Sequence, residues 1–395
     1  MILTNCAACA APLAHNAPRC VRCKLRYCNA TCQHDHWRRG HKQMCKKIHR
    51  GGNAEQYHAD KKYKEAVAVA VEACADDTKG QTCYICTEAV HSRTGEGLVR
   101  GCACGDRDGV ASGTTGIAHV SCLAEQAKIS VAEAELNNLD WDAFNRRWRW
   151  WSDCSLCEQR YHGYVACALG WACWKTYVGR PETDQLRSAA MTQLANGLAA
   201  VDLHTDALAV EEAVLSLERR CGGSEPSILS VQSNLAVTYR RLGRLEEAHR
   251  TERDVYSGWV RLHGEDHELT LQAAGNYATS LSELQRFEEA RSLMRKSIPV
   301  ARRALGESNE ITLKMRWTYA DTLHEDPGAT LDELREAVTT LEDTASTARR
   351  VLGGAHPLTA SFEESLRDAR AALRARETPP TDAREDGDLD EVEDA

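Results

Sequence analysis

The second half of the chain repeats one pattern of apolar and polar positions. LGRLEEA at Leu242 recurs as LQRFEEA at Leu284, and LHGEDHELTL at Leu262 recurs as ALGESNEITL at Ala304, a period of 42 residues. In each unit an alanine precedes a glycine by 16 residues. This spacing predicts two amphipathic helices per unit, with alanine at close helix contacts and glycine ending the second helix. The pairs are Ala207/Gly223, Ala248/Gly264, Ala290/Gly306 and Ala337/Gly353.

One helix pair cannot bury its own apolar stripe, so the units are expected to stack into a solenoid. Residues 180–377 resemble tetratricopeptide repeats of the kinesin light chain type, which implies a groove for a peptide or substrate protein. In that family an asparagine on the first helix of a unit clamps peptide backbone, and Asn234 and Asn276 match it, whereas Gln193 and Thr318 stand in the outer units. The alternative is that these asparagines make interhelical hydrogen bonds.

Two other segments have helical composition. Residues 55–75 are rich in alanine and contain neither proline nor glycine, so they predict a helix in a linker over 51–81. A second helix is expected over 131–151. The chain has no apolar run near the roughly 18 residues that a membrane span needs, and its start lacks the pattern of a signal peptide. We therefore expect an intracellular protein, cytoplasmic or nuclear, without a membrane partner.

Cysteine changes this picture more than any other residue type. Of 18 cysteines, 14 lie in two clusters, Cys6 to Cys45 and Cys83 to Cys157, with histidines between them. The remaining four are Cys74, Cys167, Cys173 and Cys221, and the last three are expected to be small buried residues. Short cysteine pairs at metal-ligand spacing, in a chain without an export signal, indicate structural zinc rather than disulfides.

The first cluster contains eight candidate ligands, enough for two tetrahedral zinc ions. They are Cys6, Cys9, Cys20, Cys23, Cys28, Cys32, His41 and Cys45. The segment from Tyr27, YCNATCQHDHWRRGHKQMC, resembles the signature of a MYND zinc finger. The spacing indicates the ligands, whereas only the resemblance implies their pairing. It places Cys6, Cys9, Cys28 and Cys32 on one ion and Cys20, Cys23, His41 and Cys45 on the other.

A module of this size is held together by zinc because its core is too small to fold alone. The resemblance further implies that it binds proline-containing peptides, with Gln33 and Trp37 near the groove. Trp37 is either a contact residue or part of the core. Residues 1–50 carry ten Lys/Arg and one Asp, but seven thiolates offset part of that charge. We expect a basic face that favours acidic proteins and no nucleic-acid binding.

The second cluster has the ligand order of four cysteines, one histidine and three cysteines. Its members are Cys83, Cys86, Cys102, Cys104, His119, Cys122, Cys154 and Cys157. The phrases CYIC, GCAC, AHVSCL and CSLC resemble a RING-CH (RING-variant) finger. The resemblance implies one zinc on Cys83, Cys86, His119 and Cys122, and another on Cys102, Cys104, Cys154 and Cys157. The chain is thus expected to hold four zinc ions.

RING-CH fingers are ubiquitin ligases, and they act by holding a charged ubiquitin-conjugating enzyme in position rather than by covalent chemistry. The resemblance implies docking through Ile85 and Leu123. Two features depart from the family. The usual tryptophan after the middle pair is absent from residues 125–128, and the 31-residue gap before Cys154 is long. Its tryptophans are interpreted as packing rather than as a replacement docking surface. They are Trp141, Trp148, Trp150 and Trp151.

These patterns predict a mostly α-helical protein, with two small cross-braced zinc modules followed by a solenoid like tetratricopeptide repeats. The expected divisions are a MYND finger over 1–50, the helical linker, a RING-CH finger over 82–160, the repeats over 161–377 and a disordered acidic tail over 378–395. The leading functional hypothesis is a ubiquitin ligase whose repeats and MYND finger recruit substrates. The alternative is an adaptor without transfer activity.

Overall fold

The structure is a computed structural model that describes residues 5–11, 13, 17–104 and 116–377. The predicted acidic tail lies outside the described residues. As expected, the protein is mostly helical, with cysteine-rich modules in its first half and stacked helix pairs in its second half. Among the described residues, no helix combines the length and the apolar character required to cross a membrane.

The first zinc module is a pair of knuckles followed by a bent helical segment. An isolated antiparallel bridge joins Arg19 and Arg26. Helix α1 (Ala30–His36) begins at Asn29, whose side chain accepts a hydrogen bond from the amide of Cys32. A single π turn (Trp37–His41) then leads into α2 (Lys42–Arg50). The bend lies at Gly40, whose φ of 114° favours glycine.

Helix α3 (Ala54–Ala73) packs along α6 (Gly163–Tyr177), although the second zinc module lies between them in the chain. Lys175 Nζ lies 3.6 Å from Asp60 and 4.5 Å from the ring centre of Tyr63. The segment predicted as a linker therefore contributes a packed helix to the first layer of the solenoid. Its ion pair with α7 (Gln185–Ala199), Glu55 to Arg187 at 2.9 Å, extends that packing.

The second zinc module combines a minimal sheet with two helices. Strands β1 (Val99–Arg100) and β2 (Ile117–Ala118) pair antiparallel, with Val99 opposite Ala118. Helix α4 (Val120–Leu136) starts earlier than the helix expected at 131, and α5 (Trp141–Trp148) follows it, ending in a 3₁₀ turn (Arg149–Trp151). Tyr63 donates a hydrogen bond of 2.9 Å to Glu96, which ties this module to α3.

The solenoid continues from α7 in antiparallel helix pairs that each contact the next pair. Its remaining helices are α8 (His204–Cys221), α9 (Glu225–Arg241), α10 (Leu245–His263), α11 (Glu268–Glu283), α12 (Phe287–Leu305), α13 (Glu310–His324), α14 (Leu331–Leu352) and α15 (Pro357–Glu377). The predicted glycines end α10, α12 and α14, whereas Gly222 rather than Gly223 ends α8. Three of the four periodic glycines thus end a second helix as the sequence predicted, and the fourth misses the end of its helix by one residue.

The first solenoid layers share one core with the second zinc module. Eleven of the fifteen residues of α6 are buried, including Trp174, because the helix packs against the second zinc module, α3 and α7. Helices α6 and α7 cross closely at small residues: a Cβ atom on Gly197 would lie 2.8 Å from the carbonyl oxygen of Ala166. This continuous core fixes the second zinc module on the solenoid.

Candidate zinc centres and partner-binding surfaces

Four clusters of cysteine and histidine side chains lie in the two zinc modules, and each brings its four ligand atoms within 4.8 Å of one another. The first cluster contains Cys6, Cys9, Cys28 and Cys32. The Sγ of Cys9 is 3.5 Å from that of Cys28 and 3.9 Å from that of Cys32. Cys9 and Cys28 are exposed, so solvent reaches this cluster.

Backbone amides support the thiolates of this cluster. The N–H groups of Ala8 and Cys28 each lie 3.4 Å from the Sγ of Cys6. Burial acts to raise the pKa of the Cys6 thiol, but these amide donors outweigh it and lower the pKa to about 6. The knuckle therefore presents an ionised sulfur, which is the form that binds a metal.

The second cluster is fully buried and contains Cys20, Cys23, His41 and Cys45. The sulfurs of Cys20 and Cys45 are 3.8 Å apart, and Nε2 of His41 lies 3.3 Å from the Sγ of Cys23. The π turn brings His41 inward, where its ring stacks on His36 at 4.7 Å.

The third cluster, in the second module, contains Cys83, Cys86, His119 and Cys122. His119 precedes the first residue of α4, and its Nδ1 lies 3.4 Å from the Sγ of Cys86 and 3.7 Å from that of Cys122. The first pair forms a tight knuckle because Thr87 adopts a φ of 64° and its amide bonds the carbonyl oxygen of Cys83.

The fourth cluster contains Cys102, Cys104, Cys154 and Cys157. The sulfurs of Cys104 and Cys154 lie 3.7 Å apart. Gly116 borders the cluster, and a Cβ atom there would lie only 2.6 Å from the Sγ of Cys102. A side chain at this position would enter the space between the sulfurs.

The donor sets and distances fit zinc. A tetrahedral ion with zinc–sulfur bonds of about 2.3 Å has sulfur–sulfur edges of about 3.8 Å. The sulfur separations given above, 3.5 to 3.9 Å, agree with that edge. Four protein ligands close each site, as in structural rather than catalytic zinc centres. The chain therefore has four zinc-binding clusters, and their role is to hold the two modules folded.

Of the other cysteines, Cys74, Cys167 and Cys173 are buried. Cys221 is exposed at the end of α8, so the expectation that it is a buried small residue was wrong. The last turn of a helix points some positions to solvent even when the helix interior is packed, and Cys221 occupies such a position.

The two apolar residues expected to dock a conjugating enzyme lie in different environments. Ile85 is 37% exposed inside the first knuckle, whereas Leu123 is 3% exposed on the inner face of α4. Leu123 is therefore inaccessible to a partner in this conformation. Leu156, inside the last cysteine pair, is 46% exposed and was not singled out from the sequence. The sequence could have indicated Leu156, because it occupies the same position between Cys154 and Cys157 as Ile85 does between Cys83 and Cys86.

Hydrogen bonds join Tyr84 and Ser155, the residues that directly precede Ile85 and Leu156. The Tyr84 hydroxyl lies 3.2 Å from that of Ser155, and both contact Oε1 of Gln126, at 3.4 and 3.3 Å. Gln126 belongs to the stretch 125–128 that lacks a tryptophan. A polar amide thus lies between the two knuckles that expose the apolar residues.

Most of the tryptophans in the long gap pack inside the protein. Trp151 is fully buried, and Trp148 and Trp150 pack partly buried against the same core. Trp141 differs, because it is 69% exposed at the start of α5. The interpretation as packing therefore describes three of the four residues.

On the first module, Gln33 and Trp37 lie one helical turn apart on the same helical segment. Trp37 is 40% exposed, and its ring meets His41 edge-on with a centroid separation of 5.9 Å. The indole therefore packs on a zinc ligand with one side and faces solvent with the other.

In the solenoid, Asn234 on α9 and Asn276 on α11 are half-buried. In the part of the chain that the structure describes, neither side-chain amide makes a hydrogen bond. Gln193, the equivalent residue on α7, instead donates a bond of 3.1 Å to the carbonyl oxygen of Trp151. The first position thus binds backbone of this same chain, whereas the next two have free amides.

Comparison with known families agrees with this architecture. Residues 6–45 match the MYND finger family, and residues 228–268 and 270–310 match the tetratricopeptide repeat family. Residues 228–268 lie mainly on α9 and α10, and residues 270–310 lie mainly on α11 and α12. A MYND finger followed by tetratricopeptide repeats is a modular protein-interaction architecture. No curated protein matches the sequence at a significant level.

Several solved structures are similar to parts of the chain. A crystal structure of a Podosopora anserina putative kinesin light chain with nearly identical TPR-like repeats is 20% identical, covers 50% of this chain and 90% of its own, and has a TM-score of 0.40. A point variant of the same protein is 21% identical over 50% and 91%, with a TM-score of 0.41. BtubC (BKLC) from P. vanneervenii is 15% identical over 69% and 99%, with a TM-score of 0.35.

Proposed function

We propose that the protein is a ubiquitin ligase of the RING-CH type, in which residues 82–160 dock a charged conjugating enzyme and the flanking modules recruit substrate. The observation that carries this proposal is the pair of exposed apolar residues, Ile85 and Leu156, beside the Tyr84–Ser155 contact. Exposed apolar side chains on two zinc knuckles that are hydrogen-bonded to each other could form a preorganised docking surface.

The expected chemistry is positioning rather than covalent catalysis. Both zinc sites of this module have four protein ligands, so neither offers an open position for substrate. The module would hold the conjugating enzyme with its thioester ready for attack by a substrate lysine. We therefore assign no catalytic residue to this chain.

A second candidate is an adaptor that binds proteins without transferring ubiquitin. Gln126 favours it, because a polar amide rather than an aromatic side chain contacts Tyr84 and Ser155, the residues that precede Ile85 and Leu156. Both candidates require the zinc modules and the repeats, and they differ only in whether a conjugating enzyme binds productively.

The two flanking modules are proposed to bind peptides. On the MYND finger, the half-exposed Trp37 beside Gln33 offers an aromatic surface of the kind that holds proline-containing segments. Titration with a set of proline-containing peptides should show binding that Trp37→Ala removes and Met44→Ala, an exposed control on α2, retains. Equal affinities of the two variants would reject this site.

In the solenoid, the free amides of Asn234 and Asn276 are proposed to clamp the backbone of a peptide or substrate. Fourteen thiols held as zinc ligands would require a reducing compartment, so we propose an intracellular location. Cytoplasm and nucleus fit this requirement equally well.

The deciding experiment is autoubiquitination in vitro with a panel of conjugating enzymes, using protein shown to hold four zinc ions. We expect chains with wild type and a large loss with Ile85→Ala and with Leu156→Ala. Val90→Ala is the matched control, because Val90 is 60% exposed in the same module but lies outside the two knuckles. Absence of chains with every conjugating enzyme would reject the ligase and leave the adaptor.

A further inference from the structure

The side chain of Gln159 joins the second zinc module to the far end of the solenoid. Its Nε2 donates a hydrogen bond of 2.7 Å to the carbonyl oxygen of Leu352, 193 residues further along the chain. Its Oε1 accepts a bond of 3.2 Å from the amide of Ala103. Gln159 is buried at 7% exposure, so both halves of its amide are used in a site closed to water.

This hydrogen bond gives a partner to a backbone carbonyl group at the C-terminal end of α14. Leu352 is the last residue of α14, and the final carbonyl groups of a helix have no partner within it. The ring of His162, just after the zinc knuckle, also meets the ring of His356, just before α15, with a centroid separation of 6.3 Å. The turn between α14 and α15 therefore rests on the second zinc module.

A residue of the first repeat also contacts this module. Gln193 on α7 donates to the carbonyl oxygen of Trp151 at 3.1 Å. Trp151 is fully buried, and its ring meets Tyr177 of α6 edge-on at 5.9 Å. Residues 151–162 thus bridge the first and the last helix pairs of the solenoid.

We propose that the second zinc module is a clasp, which holds the two ends of the solenoid together and opens when the fourth zinc site is emptied. Gln159 and one of its two partners, Ala103, lie beside ligands of that site. Ala103 lies between the ligands Cys102 and Cys104, and Gln159 follows Cys157 by two residues. The amide of Cys154 also bonds the carbonyl oxygen of Gln159 at 2.8 Å, so the knuckle sets the position of the glutamine.

The clasp bears on partner binding because the curvature of a solenoid sets the spacing of its groove positions. With both ends held, α9 and α11 keep Asn234 and Asn276 at one separation. Release of the end would let the later pairs move relative to α7. This consequence is independent of whether the module docks a conjugating enzyme.

The test compares Gln159→Glu with Gln272→Glu in the full-length zinc-loaded protein. Glutamate keeps an acceptor for Ala103 but turns a second acceptor toward the Leu352 carbonyl, so it removes the clasp with little change in volume. Gln272 is exposed on α11 and serves as the matched control. Zinc content by native mass spectrometry should stay at four ions in both variants.

In Gln159→Glu we expect amide exchange in residues 349–360 to accelerate about tenfold or more, as for loss of a buried hydrogen bond. The radius of gyration from small-angle scattering should rise in the same variant and stay constant in the control. Unchanged exchange and unchanged dimensions would overturn the clasp.

Zinc depletion of wild type tests the second half of the proposal. Stepwise chelation should accelerate exchange in residues 349–360 at the step that empties the fourth site, while α9 to α12 keep their protection. Two results would overturn the proposal that zinc controls this contact. One is that the amides of residues 349–360 stay protected from exchange after the fourth site has lost its zinc. The other is that exchange rises evenly over the whole solenoid.

Discussion

The hydroxyl oxygens of Tyr84 and Ser155 lie 3.2 Å apart, although 71 residues separate them in the chain. Tyr84 lies inside the first cysteine pair of the second zinc module and Ser155 inside the last pair, and these pairs belong to different zinc clusters. The contact therefore joins the two clusters directly, beside the exposed Ile85 and Leu156.

Removing this contact should lower the stability of the module without releasing its zinc ions. Burial raises the pKa of Tyr84 to about 12, so the phenol stays protonated and able to donate. We expect Tyr84→Phe to lower the free energy of unfolding by about 1 kcal/mol, because the variant loses the partly buried hydrogen bonds of the phenol with Ser155 and Gln126. Denaturant unfolding of the zinc-loaded protein measures this change. Tyr164→Phe, at a half-exposed tyrosine on α6, should have no effect, and equal losses in both variants would contradict the prediction.

The sequence predicted the zinc ligands because a knuckle is local: two cysteines separated by two residues bind one ion wherever the knuckle lies. It also predicted the helix ends at Gly264, Gly306 and Gly353, since a positive φ at a helix end favours glycine. Each of these features depends on neighbours within one turn of chain, and each repeats along the sequence.

The long-range contacts could not be predicted from such local patterns. Helix α3 has its partner in α6, beyond the whole second zinc module, and nothing in the composition of either helix indicates the other. The Gln159–Leu352 bond uses one glutamine side chain and a backbone carbonyl, which every residue has. The burial of Leu123 likewise depends on which face of α4 meets the zinc core, and ligand spacing does not determine that face.

The four zinc ions should leave in a defined order. Cys9 and Cys28 are exposed in the first cluster, whereas the other three clusters are buried or nearly so. A chelator must contact the metal, so the ion bound by the first cluster should be removed in a separate fast phase. Colorimetric zinc release, with native mass spectrometry of the intermediates, measures this order.

Ligand variants assign the fast phase. Cys9→Ser should start with fewer ions and lack the fast phase, whereas Cys104→Ser, in the second module, should keep it. A single phase for all four ions, or a fast phase that survives Cys9→Ser, would show that exposure of these ligands does not set the order.

Glu211 should make the stability of the solenoid depend on pH. Its side chain is 3% exposed on α8, and burial raises the pKa of the carboxyl from 4.5 to about 7 despite a hydrogen bond with Thr238. Between these two values the folded state holds a proton that the unfolded state releases. Stability from this group is therefore present below pH 4.5 and is lost as the pH rises through 7.

Glu211→Gln removes this dependence. At pH 8 the variant should be more stable than wild type by up to about 3 kcal/mol, and near pH 5 the difference should shrink markedly. Denaturant unfolding of variant and wild type at each pH gives the difference, so that proton effects on zinc binding cancel. Glu212→Gln, at the exposed neighbour, should show no such trend, and a parallel trend in both variants would refute the assignment.

Asn234 and Asn276 should contribute little to stability if their amides serve a ligand. Neither side-chain amide makes a hydrogen bond within the described residues, whereas the Asn309 side chain accepts a bond of 2.8 Å from the amide of Ile311 at the start of α13. Replacing such a capping residue with alanine costs about 1 kcal/mol, and replacing an unbonded surface amide costs less than about 0.5 kcal/mol. We therefore expect Asn309→Ala to lower the unfolding temperature measurably and Asn234→Ala and Asn276→Ala to leave it nearly constant. Losses in the groove variants as large as that of Asn309→Ala would mean that these amides hold the helices together, and the groove would then need other residues to bind a peptide.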